Sequence, residues 1–147
     1  MKLLIATDLS PNSRQMMETI VARPWPARST ACILHVVDFS PYTLGSELLK
    51  VARRSAEDSL KSAVKELESS SLKIQTEVLI GYPRNAIPKY AKDWGADFIA
   101  VGSHGRALGR FLLGSVAQAV VRKPNCWLRS PVTTIPSKGA STLVCAS

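Results

Sequence analysis

Histidine and cysteine are scarce, two and three residues in 147, and neither type is clustered. Cys32, Cys126 and Cys145 are odd in number and far apart, which excludes the close ligand pairs of a zinc site and the spacing of a dithiol redox motif. His35 and His104 do not complete a zinc ligand set. Aromatic residues make up only 6%, too few and too scattered for a platform on which nucleic-acid bases stack. No apolar run approaches the ~20 residues needed to span a bilayer. The opening run, Leu3 to Ala6, stops at Thr7-Asp8 and falls short of the ~7 residues of a secretory core. A reducing, cytoplasmic location is expected.

Hydrophobic residues at 46% and charged residues at 20% are ordinary for a folded domain, and 147 residues are enough to bury one core without disulfides. The net charge of +8 attracts nucleic acid, anionic lipid or phosphorylated small molecules alike. Because the basic residues are scattered, with no stripe or aromatic interleaving, solvated surface charge is the plainer reading. Neither a membrane nor a nucleic acid is an expected partner.

Apolar periodicity predicts alternating strands and helices. Lys2 to Ala6 is a strand; Ser10-Pro11 then starts a helix, which carries Met16, Met17, Ile20 and Val21 inward and ends before Pro24. Cys32 to Val37 is a continuous apolar strand of the buried parallel kind. Leu49, Ala52, Ala56, Leu60, Ala63 and Leu67 recur every three or four residues, one face of a long helix from about 48 to 67. Leu72 to Ile80 is a third strand, and Gly81-Tyr82-Pro83 turns into a helix bearing Ile87, Tyr90 and Ala91 that stops at Gly95. Phe98 to Val101 is a fourth strand, and Val116 to Val121 a helix ending near Pro124. This rhythm predicts a single α/β domain over 1–129, a doubly wound parallel sheet in the order 3-2-1-4 with helices on both faces. Residues 130–147 contain no acid and read as an irregular tail with one short strand at Thr142 to Cys145.

In such a sheet, ligands sit beyond the carboxyl ends of the strands where the strand order reverses. Asp8 and Gly102 close the first and fourth strands, so a carboxylate and a glycine-rich loop share one crevice. The loop runs Val101-Gly102-Ser103-His104-Gly105-Arg106 and on to Gly114-Ser115, which opens a helix. Glycines let amides approach phosphate oxygens, a helix start favours an anion, and Arg106 and Arg110 offset phosphate charge. A tight strand-to-helix connection needing glycine for geometry alone explains the same composition. Ser103, His104 and Asp8 are the residue types of a hydrolytic triad, but the nucleophile-elbow pattern is absent and neighbouring side chains diverge.

The loop resembles the signature of the universal stress protein family in its nucleotide-binding branch. Ile5-Ala6-Thr7-Asp8 with Ser10, Leu34-His35-Val36-Val37-Asp38, and Gly81-Tyr82-Pro83 with Ile87 and Ala91 are similar to family segments in the same order, over about residues 2–126. The resemblance implies that Asp8 and the Val36 main chain hold adenosine, that Gly102 and Gly105 line the path from ribose to phosphate, and that Gly114, Ser115 and Val116 contact phosphate. Ala6, Val101 and Arg106 belong to the same implied site. The implied ligand is ATP or a related adenine nucleotide, with Mg2+, in a stress-response regulator that is at most a weak ATPase.

Two departures stand out. Eight residues, Arg106 to Leu113, separate Gly105 from Gly114, one fewer than the family's usual spacing. Cys126-Trp127-Leu128-Arg129-Ser130-Pro131 replaces the family's apolar fifth strand, so that strand is expected to be degenerate and the homodimer it normally forms weak. An interaction module that keeps the fold without the nucleotide is the alternative these departures raise.

Overall fold

A computed structural model describes residues 1–38, 46–65, 67, 72–102, 115–122, 133–137 and 140–146. Its first strand, β1 (Lys2–Thr7), is followed by α1 (Pro11–Val21), β2 (Thr30–Asp38), α2 (Ser46–Lys65), β3 (Lys73–Gly81), α3 (Pro83–Trp94), β4 (Phe98–Gly102) and α4 (Ser115–Arg122). Two further strands, β5 (Thr133–Ser137) and β6 (Ala140–Ala146), complete a sheet in the order β3-β2-β1-β4-β6-β5. The four strands expected from the apolar runs are parallel, in the order 3-2-1-4.

Period-two alternation along the strands divides the core into two layers. Leu3, Ile5, Ile33, Val37, Val78 and Ala100 face α1 and α2, packing on Met16, Met17, Ile20, Ala56, Leu60 and Ala63. Leu4, Ala6, Cys32, Leu34, Val36, Ile99 and Val101 face α3 and α4, packing on Ile87, Ala91, Ala117 and Val120. β1 and β2 read as unbroken apolar runs because both of their faces are covered. β3 is a side strand of the sheet, so only Val78 is buried and Ile80, at the end of its apolar run, is 42% exposed.

The helix boundaries follow local chemistry. Ser10 caps α1, its hydroxyl accepting from the Ser13 amide, and Pro11 opens the first turn, where a missing N–H costs nothing. Gly95 ends α3 in the left-handed conformation at φ 71°, which residues with a Cβ adopt at a cost. At the amino edge of the sheet, the Lys2 amide donates to Asp97 Oδ2 at 2.7 Å, and its ammonium donates to the Trp94 carbonyl at 2.9 Å while lying 5.3 Å from the Trp94 ring centre. These contacts tie the start of β1 to the end of α3.

The tail differs from the irregular segment expected over 130–147. β6 pairs antiparallel with β4, from Phe98 opposite Ala146 to Gly102 opposite Thr142, and β5 pairs antiparallel with β6. The short strand expected at Thr142 to Cys145 lies inside β6. The physical reason is β4: its outer edge offers a row of unpaired amides and carbonyls, and a returning hairpin satisfies them where tail composition alone gives no signal. The segment 126–131, where a degenerate fifth strand was expected, lies outside the described residues.

The two-layer core makes a direct prediction. Leu60→Ala, at a fully buried position of α2, is expected to lower unfolding free energy by about 2–5 kcal/mol. Leu48→Ala, at a position 49% exposed, is expected to change it by less than about 0.5 kcal/mol. Urea unfolding followed by circular dichroism checks the contrast.

Candidate functional site

The register of the sheet brings the ends of three strands together. Ala6 lies opposite Leu34 on one side and Val101 on the other. One or two residues further along, Asp8, Val36 and Gly102 share the carboxyl edge of the three central strands. The chain order turns at this place: from β1 it winds outward through β2 and β3, then returns to the other side of β1 as β4. α4 packs on β4 through Ala117 and Val120, with Ser115 exposed and Val116 half-buried in its first turn. The structure therefore assembles Ala6, Asp8, Val36, Val101 and Gly102 at one edge and places Ser115 and Val116 at the start of the helix that follows β4. Gly105, Arg106 and Gly114 lie outside the described residues, as do Ser103 and His104.

The turn from β1 to α1 is built by side-chain oxygens. The Leu9 amide donates to Thr7 Oγ1 at 3.0 Å and the Ser10 amide to Asp8 Oδ1 at 3.0 Å, two successive side-chain-closed turns. Thr7 Oγ1 donates to Ser13 Oγ at 2.8 Å, and Ser13 Oγ donates to the Ser10 carbonyl at 2.9 Å. Leu9 sits at φ 60°, a left-handed conformation that costs a residue with a Cβ roughly 1–2 kcal/mol. Arg28, in the exposed turn before β2, is the other described non-glycine residue at positive φ. His35, on β2, places Nδ1 2.9 Å from the Thr7 carbonyl.

Asp8 and Ser10 stand out in the sequence, whereas Thr7 and Ser13 do not. The available signal is the recurrence of hydroxyls at 7, 10 and 13. Such spacing is ordinary at a helix start and becomes distinctive only when Thr7 and Ser13 are found buried.

Beneath the α3 layer, Cys32 Sγ lies 3.6 Å from the Tyr90 hydroxyl. Burial pushes the Cys32 thiol up, outweighing hydrogen bonds from Tyr90 and Gln75 that pull it down. Burial likewise raises the Tyr90 phenol, reinforced by its bond to Cys32. Both groups stay neutral at physiological pH and have the character of packed core. Among the described residues, no group of three or more His, Cys, Asp or Glu is placed to hold a metal ion.

Comparison with known proteins agrees with this fold. The model of the Universal stress protein family matches residues 1–134. Universal stress protein MJ0531 of Methanocaldococcus jannaschii is 36% identical over 137 residues, covering 85% of this chain and 78% of that protein. Universal stress protein MJ0577 of the same organism is 29% identical over 160 residues, 95% of this chain and 96% of that one. The solved structure of MJ0577 superposes with a TM-score of 0.74 at 32% identity, over 84% of this chain and 90% of that one. A universal stress protein solved in complex with cAMP shares the fold at a TM-score of 0.51 and 21% identity, over 84% of this chain and 90% of that one.

The raised Cys32 thiol leads to an expected outcome. At pH 8 a thiol reagent should leave Cys32 unmodified in the native protein and modify it after unfolding, because both burial and the small thiolate fraction oppose attack. Peptide mapping by mass spectrometry checks this.

Proposed function

The chain belongs to the universal stress protein family, and from that premise we propose that its crevice binds ATP or a related adenine nucleotide, with Mg2+, in a cytoplasmic stress-response regulator. The observation that carries the reading is the register: the row Leu34–Ala6–Val101 puts Asp8, the Val36 main chain and Gly102 together where the strand order turns. A carboxylate accepts hydrogen bonds from ribose hydroxyls but repels phosphate, so Asp8 suits the sugar end. The first-turn amides of α4 at Ser115 and Val116, with Gly105, Gly114 and Arg106 in the sequence between β4 and α4, suit the phosphates. Gly102 leaves room between them. The fold is shared with a universal stress protein that holds cAMP, itself an adenine nucleotide.

Among the described residues of the crevice none stands out as a general base, and the proposed regulator is at most a slow ATPase. Among the described residues, no helix is long and apolar enough to cross a membrane. Self-association is proposed to be weak. β6 occupies the outer edge of β4, and the strand beyond it, β5, is five residues long and carries Pro136, which lacks an N–H for pairing. Light scattering at micromolar concentration should show mostly monomer; a tight dimer would overturn this part of the proposal.

Calorimetric titration with ATP and magnesium tests the nucleotide site. Ser115→Ala is expected to cost about 0.5–1.5 kcal/mol of binding by removing one hydroxyl donor. Gly114→Val should cost more, because a branched side chain in the proposed phosphate-binding segment is expected to block the approach of phosphate to the backbone. Wild-type protein that shows no heat of binding at millimolar ATP would leave the interaction-module reading in its place.

A further inference from the structure

We infer that Thr7 and Ser13 are positioning residues for the ligand, their paired hydroxyls holding the turn that presents Asp8. The inference rests on the reading that Asp8 meets the adenosine end of a nucleotide. Thr7 and Ser13 are each only 7% exposed, and both hydroxyls are engaged within the turn. Their effect passes through Leu9, whose left-handed backbone at φ 60° lies between Asp8 and the cap of α1.

Left to itself, Leu9 would relax to negative φ and turn the Asp8 peptide with it. It is held because its N–H donates to Thr7 Oγ1 at 3.0 Å. That oxygen is aimed at Leu9 because the Thr7 hydrogen is committed elsewhere, to Ser13 Oγ at 2.8 Å. Ser13 passes its own hydrogen to the Ser10 carbonyl at 2.9 Å. Ser13 Oγ also accepts, at 3.4 Å, from the Ser10 hydroxyl; from Thr7 through Ser13 to the Ser10 carbonyl the bonds run in a single direction, so each polarises and strengthens the next.

The Thr7 backbone is secured from the neighbouring strand as well. A carbonyl oxygen only accepts, so His35 Nδ1, 2.9 Å from it, carries a hydrogen in both charge states of the ring. Thr7 is thus gripped at its carbonyl by β2 and at its hydroxyl by α1. A strained residue that its surroundings over-determine is characteristic of a preorganised binding site.

The test uses the full chain with Thr7→Val, which keeps the shape and removes the hydroxyl, Thr7→Ser, which keeps the hydroxyl, and Ser13→Ala. Adenosine, ATP with magnesium, and tripolyphosphate are titrated by calorimetry, and amide exchange is followed at Leu9. Thr7→Val and Ser13→Ala are expected to weaken adenosine and ATP by the same factor, about tenfold. Both should leave tripolyphosphate affinity unchanged and speed exchange of the Leu9 amide, while Thr7→Ser restores wild-type behaviour. Should Thr7→Val fail to fold, Ser13→Ala carries the comparison. Variants that bind adenosine as tightly as wild type, that lose all three ligands alike, or that leave Leu9 exchange unaltered would overturn the positioning role. Wild-type protein that binds neither adenosine nor ATP overturns the nucleotide site and the positioning role together; wild-type binding with unaffected variants overturns only the latter.

Discussion

β1 is hydrogen-bonded along both of its edges, to β2 and to β4, and its side chains are buried on both faces of the sheet. Both conditions must hold together. A strand covered on two faces requires helices on each side, and parallel neighbours on two edges require crossovers that leave and return in opposite directions from the centre. The crossovers part company at the carboxyl end of β1, the place where sheets of this kind open a crevice. The crevice is therefore a geometric consequence of where β1 sits, and the residues at its rim are the ones that follow the last paired row, Leu34, Ala6 and Val101.

The hydroxyl chain at the start of α1 adds order where the sheet stops supplying it. Beyond Thr7 the backbone leaves the ladder, and its amides must find other acceptors. Thr7, Asp8 and Ser10 provide them in sequence, to Leu9, Ser10 and Ser13 respectively. The surface ion pairs belong to a different class. Lys50–Glu47 and Arg53–Glu57 on α2 are solvent-exposed, and pairs of that kind contribute about 0–1 kcal/mol each. The shape of the crevice depends on the hydroxyl network and the sheet register, with little owed to the charge on the surface.

Legibility from sequence tracked how local each cause is. Cys32 to Val37 and the three-four spacing from Leu49 to Leu67 announced a strand and a helix because each pattern records a face turned to the core. Gly95 and Ser10-Pro11 marked helix ends through backbone chemistry that needs no partner. Of the β5–β6 hairpin only a short strand at Thr142 to Cys145 is legible in the sequence, because a Ser- and Thr-rich edge segment pairs in response to an open neighbour, and that neighbour is some 45 residues away at β4. The exposure of Ile80 was hidden for a similar reason: an apolar run does not say whether its strand lies at the centre of a sheet or at its side.

At the site, sequence by itself determined the residue types and their order: Asp8 after one apolar run, Gly102 after another, Ser115 at a helix start, and family membership through the ordered agreement of these segments. Those are matters of local composition and spacing, and one chain carries them in full. Tertiary structure alone decided which rows of the sheet align, and so that Ala6, Val36, Val101 and Gly102 meet at one edge. It also decided that Thr7 and Ser13 are buried against each other while His35 reaches across to the Thr7 carbonyl. Register and burial are relations between segments far apart in the chain, set by packing two layers against one sheet, and no local pattern encodes a partner's position.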